Sequence, residues 1–196
     1  MINKYREIFN NLIYKIVTPL AVIGLRPWIL SIAGLILILI ASAIIMLKIS
    51  SAPLHLSIII FLAGSLMDGL DGALARMSGQ ESAWGSFLDS FIDRISELIY
   101  IYALGYGGYI SLDTAYIYMA TSILISYTRS KGEGLNINMV GVGLMERAER
   151  ISAIIIVLII SIVLGLDLDI LFIPLIILNI VTLIERTLYI YRKVKS

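Results

Sequence analysis

Four aspartates crowd a short stretch of an otherwise apolar chain: Asp68 and Asp71 stand three residues apart, and Asp89 and Asp93 stand four apart. Carboxylates this close repel one another unless cations or protons hold them together. A donor set made only of oxygen, with no Cys in the chain and no His beside it, suits hard divalent ions. Mg²⁺ and Mn²⁺ come first, Ca²⁺ is also compatible, and zinc and copper fit poorly. Two such ions would serve phosphoryl chemistry, offsetting charge on a phosphate and its leaving group while orienting an attacking hydroxyl. Arg76 adds a fixed positive charge for phosphate. Gly69, Gly72 and Ala75 keep the neighbouring helix surface small, so that a nucleotide or pyrophosphate can approach the backbone. Small residues also serve plain helix packing. For Gly64 and Gly69 the two readings balance, whereas the regular placement of Gly72, Ala75 and Gly85 among Asp and Arg points to a site.

The elements that must position these groups are helices. At about 100° per residue, Asp68 and Asp71 share one face at the end of one helix, and Gly85, Asp89 and Asp93 form a single stripe at the start of the next. A short connection from Met77 to Trp84 brings the two helices together, so the four carboxylates converge on one cavity mouth. The surroundings are membrane-like: 59% of the 196 residues are hydrophobic and the mean hydropathy is +0.96. The uncharged run from Pro27 to Leu47 and the run over 49–67, polar only at His55, are each long enough to span roughly 30 Å at about 1.5 Å per residue. Shorter uncharged runs over 98–112, 114–128, 151–166 and 170–184 need neighbouring charged residues to complete a span of about 20 residues. Charges in such places face a protein interior or a wet cavity, because lipid exposure costs several kcal/mol. The expected fold is an all-α integral membrane protein of six transmembrane helices, with residues 1–196 forming one domain.

Of the 15 Lys and Arg, Lys48 alone falls between the first two spans, and the others lie on the alternate side. This places both termini and the acidic cluster in the cytoplasm of a multi-pass cell-membrane protein. Asp113, Asp167 and Asp169 fall on the opposite side. Tyr100, Tyr102, Tyr106, Tyr109, Tyr116 and Tyr118 suit an interfacial belt, or packing between helices. The first twenty residues alternate apolar side chains with Lys4, Arg6, Glu7 and Lys15, the pattern of an amphipathic surface helix, and show no apolar h-region with a cleavage site. His55 is isolated from the acids and reads as interfacial or packed. The Gly-containing stretch over 131–143 is the main cytoplasmic connection. No segment has the composition of a nucleic-acid-binding surface.

The series Asp68-x2-Asp71-Gly72-x2-Ala75-Arg76-x8-Gly85-x3-Asp89-x3-Asp93 resembles the complete signature of the CDP-alcohol phosphatidyltransferase family. The resemblance implies transfer of a phosphatidyl-type group from a CDP-linked lipid to an alcohol, with release of CMP. It implies that Asp68, Asp71 and Asp89 bind metal, Mg²⁺ or Mn²⁺ and two ions. Asp93 is then the general base, with a metal-ligand role as well, and Gly72, Ala75, Arg76 and Gly85 form the CDP pocket. Upstream, Arg26 to Ser31 is similar to the family segment entering the first span, except that Trp28 stands where Asn or Asp often follows Pro. An interfacial anchor is one role for that indole.

Acceptor identity rests on Ser126, Arg129, Lys131 and Glu133, followed by Glu146, Arg147, Glu149 and Arg150. Arginine forks suit phosphate, and the combination is similar to the inositol-phosphate-using branch, the archaetidylinositol phosphate and phosphatidylinositol phosphate synthases. By that resemblance Ser126, Arg129, Arg147 and Arg186 form the acceptor-phosphate pocket for inositol 1-phosphate, and a homodimer is implied, with Gly105, Gly107 and Gly108 permitting close contacts. Lys131, Arg150, Arg192, Lys193 and Lys195 read as positive-inside or lipid-headgroup charges, and Glu146 and Glu149 as partners of neighbouring arginines. The Ile-rich composition favours CDP-archaeol as donor, with CDP-diacylglycerol as the other choice. Alternatives within the chemistry are a glycerol phosphate or serine acceptor, or a di-inositol-phosphate-type synthase using CDP-inositol. A cation transporter is the alternative of a different class, disfavoured because the acids cluster at one membrane face among Gly72, Arg76 and Gly85.

Overall fold

The computed structural model describes residues 13–49 and 51–195, and every regular element among them is helical. In order these are α1 (Ile13–Val22), α2 (Pro27–Leu47), α3 (Pro53–Ser78), α4 (Ala83–Tyr106), α5 (Leu112–Gly134), α6 (Arg147–Leu164) and α7 (Leu168–Lys195). The boundaries follow local chemistry. Pro27 and Pro53 open α2 and α3 at the first helical position, where a missing N–H costs nothing. Gly79, at φ +63°, ends α3, and the Gln80 N–H turns back to the Ala75 carbonyl at 2.9 Å. Three residues on, the Ser82 hydroxyl accepts the Gly85 N–H at 3.0 Å and starts α4. The connection expected between Met77 and Trp84 is therefore this tight stop and start. Ser111 caps α5 by accepting from the Thr114 N–H at 3.1 Å, and left-handed Gly165 ends α6.

Three helices, α2, α3 and α7, are long and apolar enough to cross a membrane by length and composition. α4 begins well before the uncharged run expected there and stops at Tyr106, so its length comes from the amphipathic turns carrying Asp89, Asp93 and Glu97. The connection after α5 lies later than the sequence suggested, over 135–146, because residues 131–134 are the last turn of the helix and α6 starts only at Arg147. The expected N-terminal surface helix falls mostly on residues 1–12, outside the described residues.

Two compact units, each drawn from separated stretches of chain, account for the described residues. One takes the residues up to Ala41 together with Ile59–Ser96, and the other takes Ser42–Ile58 with Glu97–Ser196. In the first, Val17, Leu30, Ala73 and Leu74 form a buried cluster that Ile13, Leu20, Leu25, Leu70 and Met77 pack against. α2 and α3 approach so closely that a Cβ on Gly34 would lie 2.8 Å from the Gly64 carbonyl oxygen, and one on Gly64 would lie 2.8 Å from that of Gly34. Gly64 is thus a packing glycine, whereas a Cβ on Gly69 would meet nothing within 4 Å.

In the second unit α7 packs on α5 and α6, and Tyr118 meets Phe172 edge to face at 5.4 Å. Tyr100 and Tyr118 are fully buried, so they pack between helices, while Tyr102, Tyr106 and Tyr116 are exposed and fit a belt. A Cβ on Gly105 would touch Ala115 at 3.0 Å and one on Gly107 would touch Ile45 at 2.6 Å. These two glycines serve contacts inside the chain.

Candidate functional site

In the first unit the helix periodicity brings Asp68, Asp71 and Asp89 to one point: each offers a carboxylate oxygen within 4.8 Å of those of the other two. Asp68 and Asp71 are buried at 2% and 6% exposure, and Asp89 is half-buried. Burying like charges together is costly without a counter-charge. Three convergent carboxylates fit a hard divalent cation by donor chemistry alone. Asp93, one turn beyond Asp89, is also buried and lies outside this triad; its Oδ2 is 3.8 Å from Arg94 Nη1.

The triad borders a cavity of about 380 Å³ lined by Pro27, Trp28, Ser31, Asp71, Gly72, Ala75, Arg76, Gln80, Glu81, Ser82, Trp84, Gly85, Ser86 and Asp89. That size suits a small organic ligand. All four residues expected to hold CDP, namely Gly72, Ala75, Arg76 and Gly85, are in this wall. The reason for small residues is visible at two of them. The Arg76 guanidinium folds over Gly72, where a Cβ would lie 3.5 Å from Nη1, and a Cβ on Gly85 would lie 3.1 Å from the Ser82 hydroxyl that caps α4. Ser31 donates a hydrogen bond to Asp71 Oδ2 and so aims that carboxylate. Sequence reasoning gave Ser31 no role at the acids, because its polarity sits within an apolar run. Trp28 lines the cavity too, which an anchor role does not require.

In the second unit Arg129, Arg147 and Arg186, three of the four residues expected to hold an acceptor phosphate, lie around the start of α6. Arg186 is 2% exposed; its Nε donates to the Val142 carbonyl at 2.8 Å and its Nη1 to the Ile125 carbonyl, also at 2.8 Å. Ser126 follows Ile125 on α5. Glu146 draws the arginines together: its Oε1 lies 3.9 Å from Arg186 Nη2 and its Oε2 lies 3.8 Å from Arg129 Nη1. Arg129 also pairs with Glu133, one helical turn on, at 2.9 Å. Arg147, half-buried, is the first residue of α6, and Glu146 makes no side-chain cap there. An uncapped helix start beside three arginines is an anion-attracting arrangement. Gly143, at φ +93°, lets the connection pass Thr182, where a Cβ would come within 2.5 Å of the Thr182 methyl.

Arg150 corrects the sequence reading. It is buried at 3% exposure; its Nε and Nη2 bind both Glu97 oxygens at 2.8 Å, and its Nη1 reaches the Met145 carbonyl at 3.2 Å. The Ser122 hydroxyl completes the cluster by donating to Glu97 Oε1 at 2.7 Å. A buried charge survives only with such a partner, so Arg150 is no surface charge. Glu97 was passed over, although it extends the stripe of Gly85, Asp89 and Asp93 by one more step of four. Lys131, Lys193 and Lys195 are exposed, as expected.

Comparison with known proteins identifies the family and the fold. A family model described as CDP-alcohol phosphatidyltransferase matches residues 25–188. The chain is similar to an archaetidylinositol phosphate synthase of Pyrococcus horikoshii, 34% identical over 154 residues that cover 79% of this chain and 80% of that one. Its fold is similar to that of a Mycobacterium tuberculosis phosphatidylinositol phosphate synthase with CDP-DAG bound, with a TM-score of 0.79 at 22% identity, covering 92% of this chain and 94% of that chain. A structure of the same mycobacterial protein with manganese and citrate matches with a TM-score of 0.77 at 23% identity, covering 91% and 88%.

Proposed function

The chain belongs to the CDP-alcohol phosphatidyltransferase family, and on that premise we propose that it transfers a phosphatidyl-type group from CDP-archaeol to inositol 1-phosphate, releasing CMP. The observation that carries the donor half is the meeting of Asp68, Asp71 and Asp89 at a cavity walled by Gly72, Ala75, Arg76 and Gly85. In this reading Asp68, Asp71 and Asp89 hold divalent metal, two ions of Mg²⁺ or Mn²⁺. When bound, such ions offset the charge of the pyrophosphate and of departing CMP. Gly72 and Gly85 let the nucleotide close on the backbone, and Arg76 takes a phosphate oxygen. Asp93 removes the proton from an inositol phosphate hydroxyl, whose oxygen attacks the phosphorus attached to the lipid as its bond to CMP breaks.

Ser126, Arg129, Arg147 and Arg186 hold the acceptor phosphate. The support is the arginine cluster at the uncapped start of α6. A serine acceptor gives that cluster no phosphate to bind, which favours a phosphorylated alcohol. The reading places α2 to α7 as six membrane spans, with the acids and arginines on the cytoplasmic side. It includes a homodimer whose interface does not rest on Gly105 or Gly107.

The test is CMP release by purified protein with CDP-archaeol and Mg²⁺ or Mn²⁺, comparing inositol 1-phosphate, inositol, glycerol 3-phosphate and serine. Preference for inositol 1-phosphate is expected, and preference for another acceptor overturns the arginine assignment. Asp93→Asn should lose activity by about 100-fold or more while still binding metal; near-normal turnover would remove it as base.

A further inference from the structure

We propose that Trp28 is the wall on which the pyrimidine of the CDP group stacks, an inference that rests on the proposed function and adds a specificity-determining contact to its donor site. The chain has 2 tryptophans, Trp28 and Trp84, and both line the cavity that holds Asp71, Gly72 and Asp89. Their surroundings differ. Trp84 is 67% exposed and stacks at 5.6 Å on Phe87, which in turn stacks at 5.9 Å on Phe91. Phe87 and Phe91 are exposed and lie outside the cavity lining, so one face of the Trp84 indole belongs to a ladder running away along α4.

Trp28 is 42% exposed, and among the described residues no ring stacks on it. It sits in the first turn of α2, directly after Pro27, on a helix whose next turn supplies the Ser31 hydrogen bond to Asp71. The indole is therefore carried by the same helix, one turn before the residue that aims a carboxylate of the triad. A large ring with an open face on a cavity is a surface for a flat base, because stacking needs only a π face and no hydrogen-bond code. An interfacial anchor makes the opposite demand: it would hold the protein at the membrane and be indifferent to nucleotide.

Because these two indoles are the protein's only tryptophans, tryptophan emission excited selectively over the 11 tyrosines reads this cavity. The experiment titrates CMP with Mg²⁺ into the full-length protein in detergent, with binding measured independently by equilibrium dialysis. Trp84→Phe leaves Trp28 as the sole emitter, and Trp28→Phe leaves Trp84. The expected result is strong quenching in Trp84→Phe and little change in Trp28→Phe. Trp28→Ala should bind CMP about 5- to 100-fold more weakly, and Trp28→Phe, which keeps a ring, should recover most of that loss. If CMP binds Trp84→Phe without altering its emission, or binds the wild type but not Trp84→Phe, the assignment to Trp28 fails while the donor site stands. If the wild type takes up no CMP by dialysis, the nucleotide reading fails and this inference with it.

Discussion

Arg147 and Arg150 stand one helical turn apart, yet they face different demands. Arg150 is enclosed with Glu97 and Ser122, so removing one partner strands a buried charge. Arg150→Met should cost about 3–5 kcal/mol of stability, whereas pairing it with Glu97→Leu should recover much of that loss; melting of the purified variants in detergent checks both. Equal loss in the double variant would show that the pair holds the fold by more than mutual compensation. Arg147→Ala should instead melt close to wild type and raise KM for inositol 1-phosphate by about 10-fold or more, the loss of a charge-assisted hydrogen bond, with KM for the CDP-lipid unchanged. Unchanged acceptor dependence would take Arg147 out of the pocket. The acids were legible in the sequence because charge inside an apolar chain is conspicuous and its spacing fixes a helix face. Arg150 was not, because a basic residue near a helix end looks alike whether it meets water or a carboxylate far away in sequence. Glu97 could have been found, since the stripe through Asp89 and Asp93 continues to it.

Helices α2 and α3 were readable from length and apolarity, and the start of α2 from Pro27, but the uncharged run over 49–67 opened α3 four residues before Pro53, where the helix begins. Their crossing was not readable. A stripe of apolar side chains gives no hint of where two backbones touch, and Gly34 drew no attention among its Leu and Ile neighbours. The contact is severe: a Cβ at Gly64 would meet the Gly34 carbonyl at 2.8 Å and Ile38 Cγ1 at 2.9 Å. One of those atoms is backbone, so it cannot swing aside as a flexible side chain would. Gly64→Val should therefore force α2 and α3 apart, costing about 1–3 kcal/mol or more. Because Asp68 lies one turn beyond Gly64 and Ser31 one turn before Gly34, it should also weaken metal binding. Gly69→Ala, with open space around its new methyl, is the control for helix substitution itself. Melting temperature and Mn²⁺ affinity, measured on both, separate a crossing defect from a general loss of helix; equal behaviour of the two variants would deny Gly64 its packing role.

At the scale of the molecule, three helices satisfy length and apolarity for crossing a membrane, and three others carry charge that dilutes the same signal. α4 bears Asp89, Asp93 and Glu97, α5 bears Arg129 and Glu133, and α6 opens with Arg147 and Arg150. Such charges lower a hydropathy count whether or not the helix crosses, since a charge turned inward is invisible to lipid but counts against the helix in a sequence window. Sidedness decides whether they cross. With six spans, Lys48 lies outside and Lys131 and Lys193 lie in the cytoplasm. All three are exposed, and the chain contains no cysteine of its own, so single Cys substitutions report without background. An impermeant maleimide applied to intact spheroplasts should label Lys48→Cys at once, and should label Lys131→Cys and Lys193→Cys only after permeabilisation. Labelling of Lys131→Cys from outside would mean that α4 and α5 do not both cross, and would put the arginine cluster on the wrong face for a cytoplasmic phosphorylated acceptor.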